Sequence, residues 1–348
     1  MKNILPKIIV ILGPTASGKT DLGLALAKKF NGEIVSADSR QVYKKMNIGT
    51  AKPAGKWNKK EYTIDGIPHY LMDIIDPGKG FSLADYKDLA AQTIKDILSR
   101  NKLPIVVGGT GLYIQTLIEN LDIPKVGPSK QLRKQLEKKT LPELVKMLEK
   151  IDPASAKKID LKNPRRVLRA LEVFILSGES FFKQKTKSKP MYQALQIGLD
   201  WPREELFQRI NMRVDKQVVE GLVEETKKLA GQTCLPAGRY KWDIPSMSGI
   251  GYKQIGFYLR GEMSLAEAVE MLKRDTRRYA KRQMTWFKRD KNIIWIKNTD
   301  LALAEKKIKE FLNTPLFKEG NKGRSIDPNP TLPLKREGTN DLDQLLRP

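Results

Sequence analysis

Apolar residues along the chain fall into two alternating patterns. Short, mostly apolar runs occur at Lys7 to Leu12, Glu33 to Ala37, Pro104 to Val107, Ala194 to Leu199 and Ile293 to Ile296. They are too short for helices and lack a polar side, as expected of strands buried on both faces of a parallel sheet. Between them lie longer stretches in which apolar residues recur every three or four positions, the period of an amphipathic helix. The first run passes straight into a Gly-rich turn and a helix predicted over Lys19 to Phe30, which is the strand-loop-helix unit of a doubly wound sheet.

From about Lys125 to Lys189 the strand pattern disappears. Helical periodicity with dense charge replaces it, in Gln131 to Lys138, Leu141 to Lys150 and Pro164 to Ser177. This predicts a helical insertion between two strands of one sheet. The expected organisation is a discontinuous core of residues 1–124 and 190–314, an insertion of 125–189, and a tail of 315–348. That tail is rich in Gly, Pro, Asn and Lys without periodicity, so it is expected to be disordered.

The longest helix is predicted over Ser264 to Arg289. Val269, Leu272, Thr276, Tyr279, Gln283 and Phe287 mark its packed face. Two adjacent stripes, Lys273, Arg277, Lys281 and Arg274, Arg278, Arg282, make another face almost purely cationic.

Charge extends that picture to the whole chain. Its 348 residues hold 64 Lys and Arg against 40 Asp and Glu, a formal charge of +24. The excess is spread along the sequence, so the folded surface should be electropositive and suited to a polyanion, or simply well solvated. Cys234 and His69 are the sole residues of their types. A disulfide, a thiolate zinc cluster and most nucleophile-histidine schemes are thereby excluded, and a reducing cytosol is the expected compartment. No apolar run approaches the roughly 18 residues of a membrane span, and the opening residues run into a motif instead of a cleavage site, so neither anchoring nor secretion is expected.

Gly13-Pro14-Thr15-Ala16-Ser17-Gly18-Lys19-Thr20 matches the eight-position phosphate loop, placed after a strand and before a helix. Its backbone amides and Lys19 suit a di- or triphosphate. The Thr20 hydroxyl is positioned to hold Mg²⁺, and the helix N-terminus adds its dipole. A nucleotide hydrolase also wants an apolar strand ending in Asp, yet Ile105 to Val107 runs into Gly108-Gly109-Thr110-Gly111. The available carboxylate is Asp38, at the end of the strand Ile34 to Ala37, where open α/β sheets present ligands. Asp38 reads equally well as a helix cap or turn residue.

Five ordered stretches resemble the tRNA dimethylallyltransferase family: GPTASGKT (Gly13 to Thr20), SADSRQVYKKMNIGTAKP (Ser36 to Pro53), LPIVVGGTGLYI (Leu103 to Ile114), NPRRVLRALEV (Asn163 to Val173), and IGYKQ with RRYAKRQMTWFKRD (Ile250 to Gln254, Arg277 to Asp290). The resemblance spans about Lys7 to Leu312. It implies an α/β phosphate-loop core whose parallel sheet is flanked by helices, with an inserted helical tRNA-binding domain. It further implies dimethylallyl pyrophosphate as donor, Mg²⁺, and the anticodon stem-loop of tRNA as acceptor, on a protein expected to be a monomer.

The same resemblance implies roles for individual residues. Asp38 is the candidate base, because a delocalised adenine amine must lose its proton as the bond to carbon forms. Arg213 would stabilise the leaving pyrophosphate, and Thr15 and Thr110 would line the reaction centre. Asp38, Ser39, Arg40, Gln41 and Thr110 would meet the extruded base and its neighbours. Contacts to tRNA are implied for Arg133 and for Arg165, Arg166, Val167, Leu168 and Arg169 in the insertion. Arg278, Lys281 and Arg282 on the long helix are expected to follow the RNA backbone.

Two stretches depart from the family pattern. Thr233 to Lys241 reads as extra loop, and nothing in the pattern corresponds to the tail. The competing reading is an ATP-dependent kinase that uses the same loop, with Asp38 as base for an acceptor hydroxyl. A third is an RNA-binding protein with a relic loop.

Overall fold

The structure is a computed structural model that describes residues 5–58, 61–124, 126–184, 188–232, 242, 244–297 and 300–314. The predicted loop 233–241 and the predicted tail 315–348 lie outside these residues. The chain divides into two compact units, with described residues 5–118 and 190–314 in the first and 119–189 in the second.

The first unit is built on eight strands: β1 (Lys7–Leu12), β2 (Gly32–Ser36), β3 (Lys56–Asn58), β4 (Glu61–Ile64), β5 (Ile67–Tyr70), β6 (Leu103–Gly108), β7 (Gln193–Asp200) and β8 (Ile294–Lys297). They form one sheet in the order β3-β4-β5-β2-β6-β1-β7-β8. The five strands expected from the apolar runs form a contiguous parallel part of it, β2-β6-β1-β7-β8, with β1 paired to β6 from Ile9↔Ile105 to Leu12↔Gly108 and to β7 on its other side, and β8 at the sheet edge. Alternate residues of β1 enter different cores, as strand geometry requires. Ile8, Val10 and Leu12 lie in one cluster, Ile9 and Ile11 in the other.

The antiparallel edge β3-β4-β5 has no counterpart among the predicted runs. Its strands are only three or four residues long, below the length at which an apolar run stands out. The signal it does carry is Asp65-Gly66, which joins the pair Ile64↔Ile67 with both turn residues at positive φ (49° and 77°). Two such residues give a turn whose twist matches that of a hairpin.

Helices α1 (Lys19–Lys29), α2 (Leu83–Ser99) and α3 (Gly111–Ile118) follow β1, β5 and β6. The second unit contributes α4 (Lys130–Leu136), α5 (Leu141–Ile151), α6 (Pro153–Ala156), α7 (Pro164–Ser177) and α8 (Phe181–Gln184). Returning to the first unit, α9 (Arg203–Val219), α10 (Leu222–Gln232), α11 (Tyr252–Leu259), α12 (Leu265–Phe287) and α13 (Leu301–Asn313) complete the described chain. The start of α12 is fixed by a capping box between Ser264 and Glu267. Pro164 in the first turn and Gly178 past the end (φ 72°) delimit α7.

The second unit has its own core of Leu132, Leu136, Leu144, Met147, Leu148, Ala156, Val167, Ala170 and Leu171. The charge-dense sequence therefore folds as amphipathic helices around an apolar centre, beginning at Glu119 instead of Lys125.

Candidate active site

Two glycines shape the site, one in the phosphate loop and one at the end of β6. Gly18 sits at φ 86° where α1 begins, a conformation that a Cβ disfavours. A side chain at Gly108, where β6 ends, would collide with the backbone of Ala37. Close approach of the ends of β2 and β6 brings the phosphate loop, Asp38 and Gly109 around one cavity of about 900 Å³, which is also lined by Lys19, Thr20, Arg40, Gln41, Arg213, Tyr279 and Arg282; Thr110 follows directly after this lining.

Two cations share its floor. The Lys19 ammonium donates to Pro14 O at 2.5 Å, and the Arg213 guanidinium, carried by α9, donates to Thr15 Oγ1 at 3.2 Å. Burial, with the positive charge of Arg213 beside it, lowers the Lys19 pKa from 10.5 to about 7, although Asp38 works in the opposite direction. Burial likewise lowers Arg213, again opposed by Asp38. Two desolvated cations that share only the charge of Asp38 and form no ion pair among the described residues favour a ligand that brings multiple negative charges.

Asp38 proves to be a turn residue and a cavity residue together. Its Oδ1 accepts from the backbone N–H of Arg40 at 2.8 Å and of Gln41 at 3.3 Å, whereas Oδ2 takes no hydrogen bond among the described residues. Thr110 holds the neighbouring residue, with its Oγ1 accepting from Ser39 N at 3.0 Å and its own N–H donating to Ala37 O at 3.1 Å. Arg40 donates to Pro245 O, and Gln41 Nε2 donates to the carbonyls of Thr50 and Ala51 at 3.3 and 3.2 Å.

A family model described as IPP transferase matches residues 41–290, and one described as isopentenyl transferase matches residues 6–62. The tRNA dimethylallyltransferase of Acetivibrio thermocellus is 46% identical over 314 residues, covering 88% of this chain and 96% of that protein.

The chain belongs to the tRNA dimethylallyltransferase family.

Anoxybacillus flavithermus supplies another such relative at 43% identity, over 88% of this chain and 95% of its own. Among solved structures, the tRNA isopentenylpyrophosphate transferase of Bacillus halodurans is 41% identical with a TM-score of 0.62, over 88% of this chain and 95% of that one. A eukaryotic dimethylallyltransferase described as acting on tRNA gives 30% identity and a TM-score of 0.73, over 90% and 81% of the two chains.

Viewed as a dimethylallyltransferase, the chain gathers all of Gly13 to Thr20, Asp38 to Gln41, Thr110, Arg213 and Arg282 in its first unit. Gly13, Pro14 and Ser17 are buried or half-buried in the loop, and Thr15 to Thr20 line the cavity. The insertion residues follow a different pattern. Arg165 and Arg166 are exposed, but Val167 is completely buried and Leu168 packs against the core of the second unit. Val167 therefore cannot touch RNA: it falls on the apolar stripe of α7, which four consecutive helical residues must cross.

Arg133 and Arg169 are not free cations either. Arg133 donates through Nε and Nη2 to the two oxygens of the buried Glu172, both at 2.9 Å, and Arg169 Nη1 adds a third bond at 2.7 Å. Ser129 N completes the set at 2.7 Å. Burial raises the Glu172 pKa, but these hydrogen bonds outweigh it and hold the carboxyl below its ordinary value.

The cationic face of α12 is also divided. Lys273 pairs with Asp215 of α9 at 2.8 Å and with Glu270 at 3.1 Å, and Arg277 donates to Asn211 at 2.6 Å. That part of the face packs on the protein itself. Arg278, Lys281 and Arg282 border a shallow depression that they share with Thr285, Trp286 and Arg289.

Several supporting residues were not singled out by the sequence. Arg209 stacks over Trp201 and donates to Ala16 O at 2.9 Å, while Trp201 Nε1 donates to Ser17 O at 3.0 Å. Glu225 accepts from three consecutive amides, Asn47, Ile48 and Gly49, and from the Tyr252 hydroxyl at 2.7 Å, which fixes the loop carrying Thr50 and Ala51. No local pattern marks an acidic residue whose partners lie nearly 180 positions away.

Proposed function

We propose that this protein transfers a dimethylallyl group from dimethylallyl pyrophosphate to the exocyclic N6 amine of the adenosine 3′-adjacent to the anticodon in tRNA, with release of pyrophosphate. The observation that carries this reading is one cavity lined by desolvated Lys19 and Arg213 together with Asp38, whose neighbour Ser39 is held by Thr110. The loop amides, Lys19 and Arg213 would receive the pyrophosphate, whose charge grows as the bond from its oxygen to the allylic carbon breaks. The amine nitrogen forms the new bond to that carbon and passes its proton to Asp38.

Among the described residues no cluster of three or more Asp, Glu, His or Cys could cage a metal ion. Mg²⁺ needs no such cage when it is shared with a phosphate ester and water, and Thr20, on the cavity wall beside Lys19, fits the protein's part of such a site. When bound there it would neutralise pyrophosphate charge.

Arg165, Arg166, Arg278, Lys281 and Arg282 are the side chains best suited to tRNA phosphates, because none is committed to a buried partner. Arg133 and Arg169 would contribute through the donors that Glu172 leaves over. The family relationship favours this reading over a kinase. Mass spectrometry of tRNA incubated with enzyme, dimethylallyl pyrophosphate and Mg²⁺ tests it: an adenosine beside the anticodon should gain C5H8. Unmodified tRNA, together with ATP consumption driven by a small acceptor, would overturn it.

A further inference from the structure

Gln283 lies on the packed face of α12 and is buried, yet its side-chain amide is polar at both ends. Both ends are used. Its Oε1 accepts from the backbone N–H of Thr15 at 2.8 Å, and its Nε2 donates to the carbonyl of Gly109, also at 2.8 Å. The first partner belongs to the phosphate loop and the second to the turn that carries Thr110. β1 and β6 stop pairing at Leu12↔Gly108, so both segments have left the sheet where Gln283 joins them.

The bonds form part of a longer path. Arg213 donates to Thr15 Oγ1, Thr15 N donates to Gln283, Gln283 donates to Gly109 O, and Thr110 Oγ1 accepts from Ser39 N, next to Asp38. One end of that path holds the groups placed at the leaving pyrophosphate, and the other holds the base. A simple core position would be filled more readily by Leu or Met, because a buried amide must have partners.

We propose that Gln283 is a positioning residue that sets the phosphate loop and the Gly-rich turn in register, and so fixes the separation of donor carbon and acceptor nitrogen. The proposal rests on the transfer reaction given above. A donor and an acceptor on one planar group, reaching two backbones at once, is the chemistry of Gln; Glu keeps the acceptor but loses the donor, and Met keeps the volume but loses both. A Cβ on Gly109 would run into the Gln283 amide, which explains the glycine there. A misplacement of about 1 Å between reacting groups can cost as much as about a hundredfold in rate.

The test is steady-state kinetics with dimethylallyl pyrophosphate and tRNA on wild type, Gln283→Met, Gln283→Glu, Gln283→Ala, Gly109→Ala, and Gly109→Ala combined with Gln283→Ala. Transfer by the wild type establishes the underlying reaction, and its absence would sink that reading and not this inference alone. Gln283→Met should stay folded, with a modestly lower melting temperature from the two lost hydrogen bonds, while kcat measured well below the transition falls at least about tenfold. Gln283→Glu should in addition raise the donor KM, by placing an anion near the pyrophosphate. The Gly109→Ala defect should be absorbed in the double variant, whose kcat should match that of Gln283→Ala alone. If Gln283→Met turns over within about twofold of wild type, or if the Gly109 and Gln283 effects simply multiply, Gln283 only packs. Should Gln283→Met fail to fold, the Gly109 comparison still decides.

Discussion

Lys19 carries a distinctive pH signature at the scale of single residues. With its pKa lowered to about 7, it is largely neutral in the ligand-free cavity at alkaline pH. A bound pyrophosphate favours the ammonium, so above about pH 7 donor binding must take up a proton, and affinity should fall by up to about tenfold per pH unit. Titration calorimetry in buffers of different ionisation enthalpy measures that proton directly. Lys19→Arg, with a side chain that keeps its charge, should abolish the dependence; a pH-independent wild type would show that the ammonium never loses its proton. Asp38 calls for a different measurement. Asp38→Asn preserves the turn, because the amide oxygen can still accept from the Arg40 and Gln41 N–H groups, but it cannot take a proton from the amine. Turnover should drop by at least about a hundredfold with both substrates still bound. Wild-type turnover in the variant would remove Asp38 from the role of base.

Within α12 one helix serves two environments because its faces point different ways. Leu272, Ala280, Gln283 and Phe287 are buried, Lys273 and Arg277 answer to α9, and Arg278, Lys281 and Arg282 border the outer depression. The neighbouring acidic group is Asp275, 3.7 Å from Arg278, an exposed spacing that neutralises little. Replacing Arg278 and Arg282 with Gln should weaken tRNA binding and flatten its dependence on salt by somewhat under one logarithmic unit per lost phosphate contact. Donor affinity should shift less. Isotherms at several salt concentrations would expose an unchanged slope, and then RNA does not lie on this face. The same substitutions at Lys273 and Arg277 should act mainly on stability, since those side chains already have partners in α9.

For the whole molecule, the charge of +24 on one chain and the division into two units have separable consequences. Every residue lining the large cavity belongs to the first unit. Glu172, with its two arginines, belongs to the second. Glu172→Ala removes the buried acceptor of two partly exposed guanidinium groups and of Ser129 N and should cost about 1–3 kcal/mol in that unit. Thermal unfolding should show the loss. Binding of dimethylallyl pyrophosphate, measured below the transition, should stay within about twofold, because additivity holds for sites that share no partners. A large donor defect would mean that the units depend on each other for their fold.

What could be read along the chain was whatever is local or periodic. The five strands of the parallel part are mostly apolar runs, the phosphate loop is eight adjacent residues, and Asp38 stands where a strand ends, so each was visible without knowledge of its neighbours. The β3-β4-β5 edge was legible only through Asp65-Gly66, because strands of three or four residues carry too little pattern. Tertiary structure decided which polar residues act together. Gln283 joins segments 268 and 174 positions away, Glu225 reaches a loop almost as distant, and Arg133 meets Arg169 only because Glu172 is buried between them. Periodicity reports which face of a helix is apolar, and on that basis the α12 cations looked alike. Whether a charge on the polar face meets solvent or another helix depends on the packing of α9, a separate element well upstream in the chain.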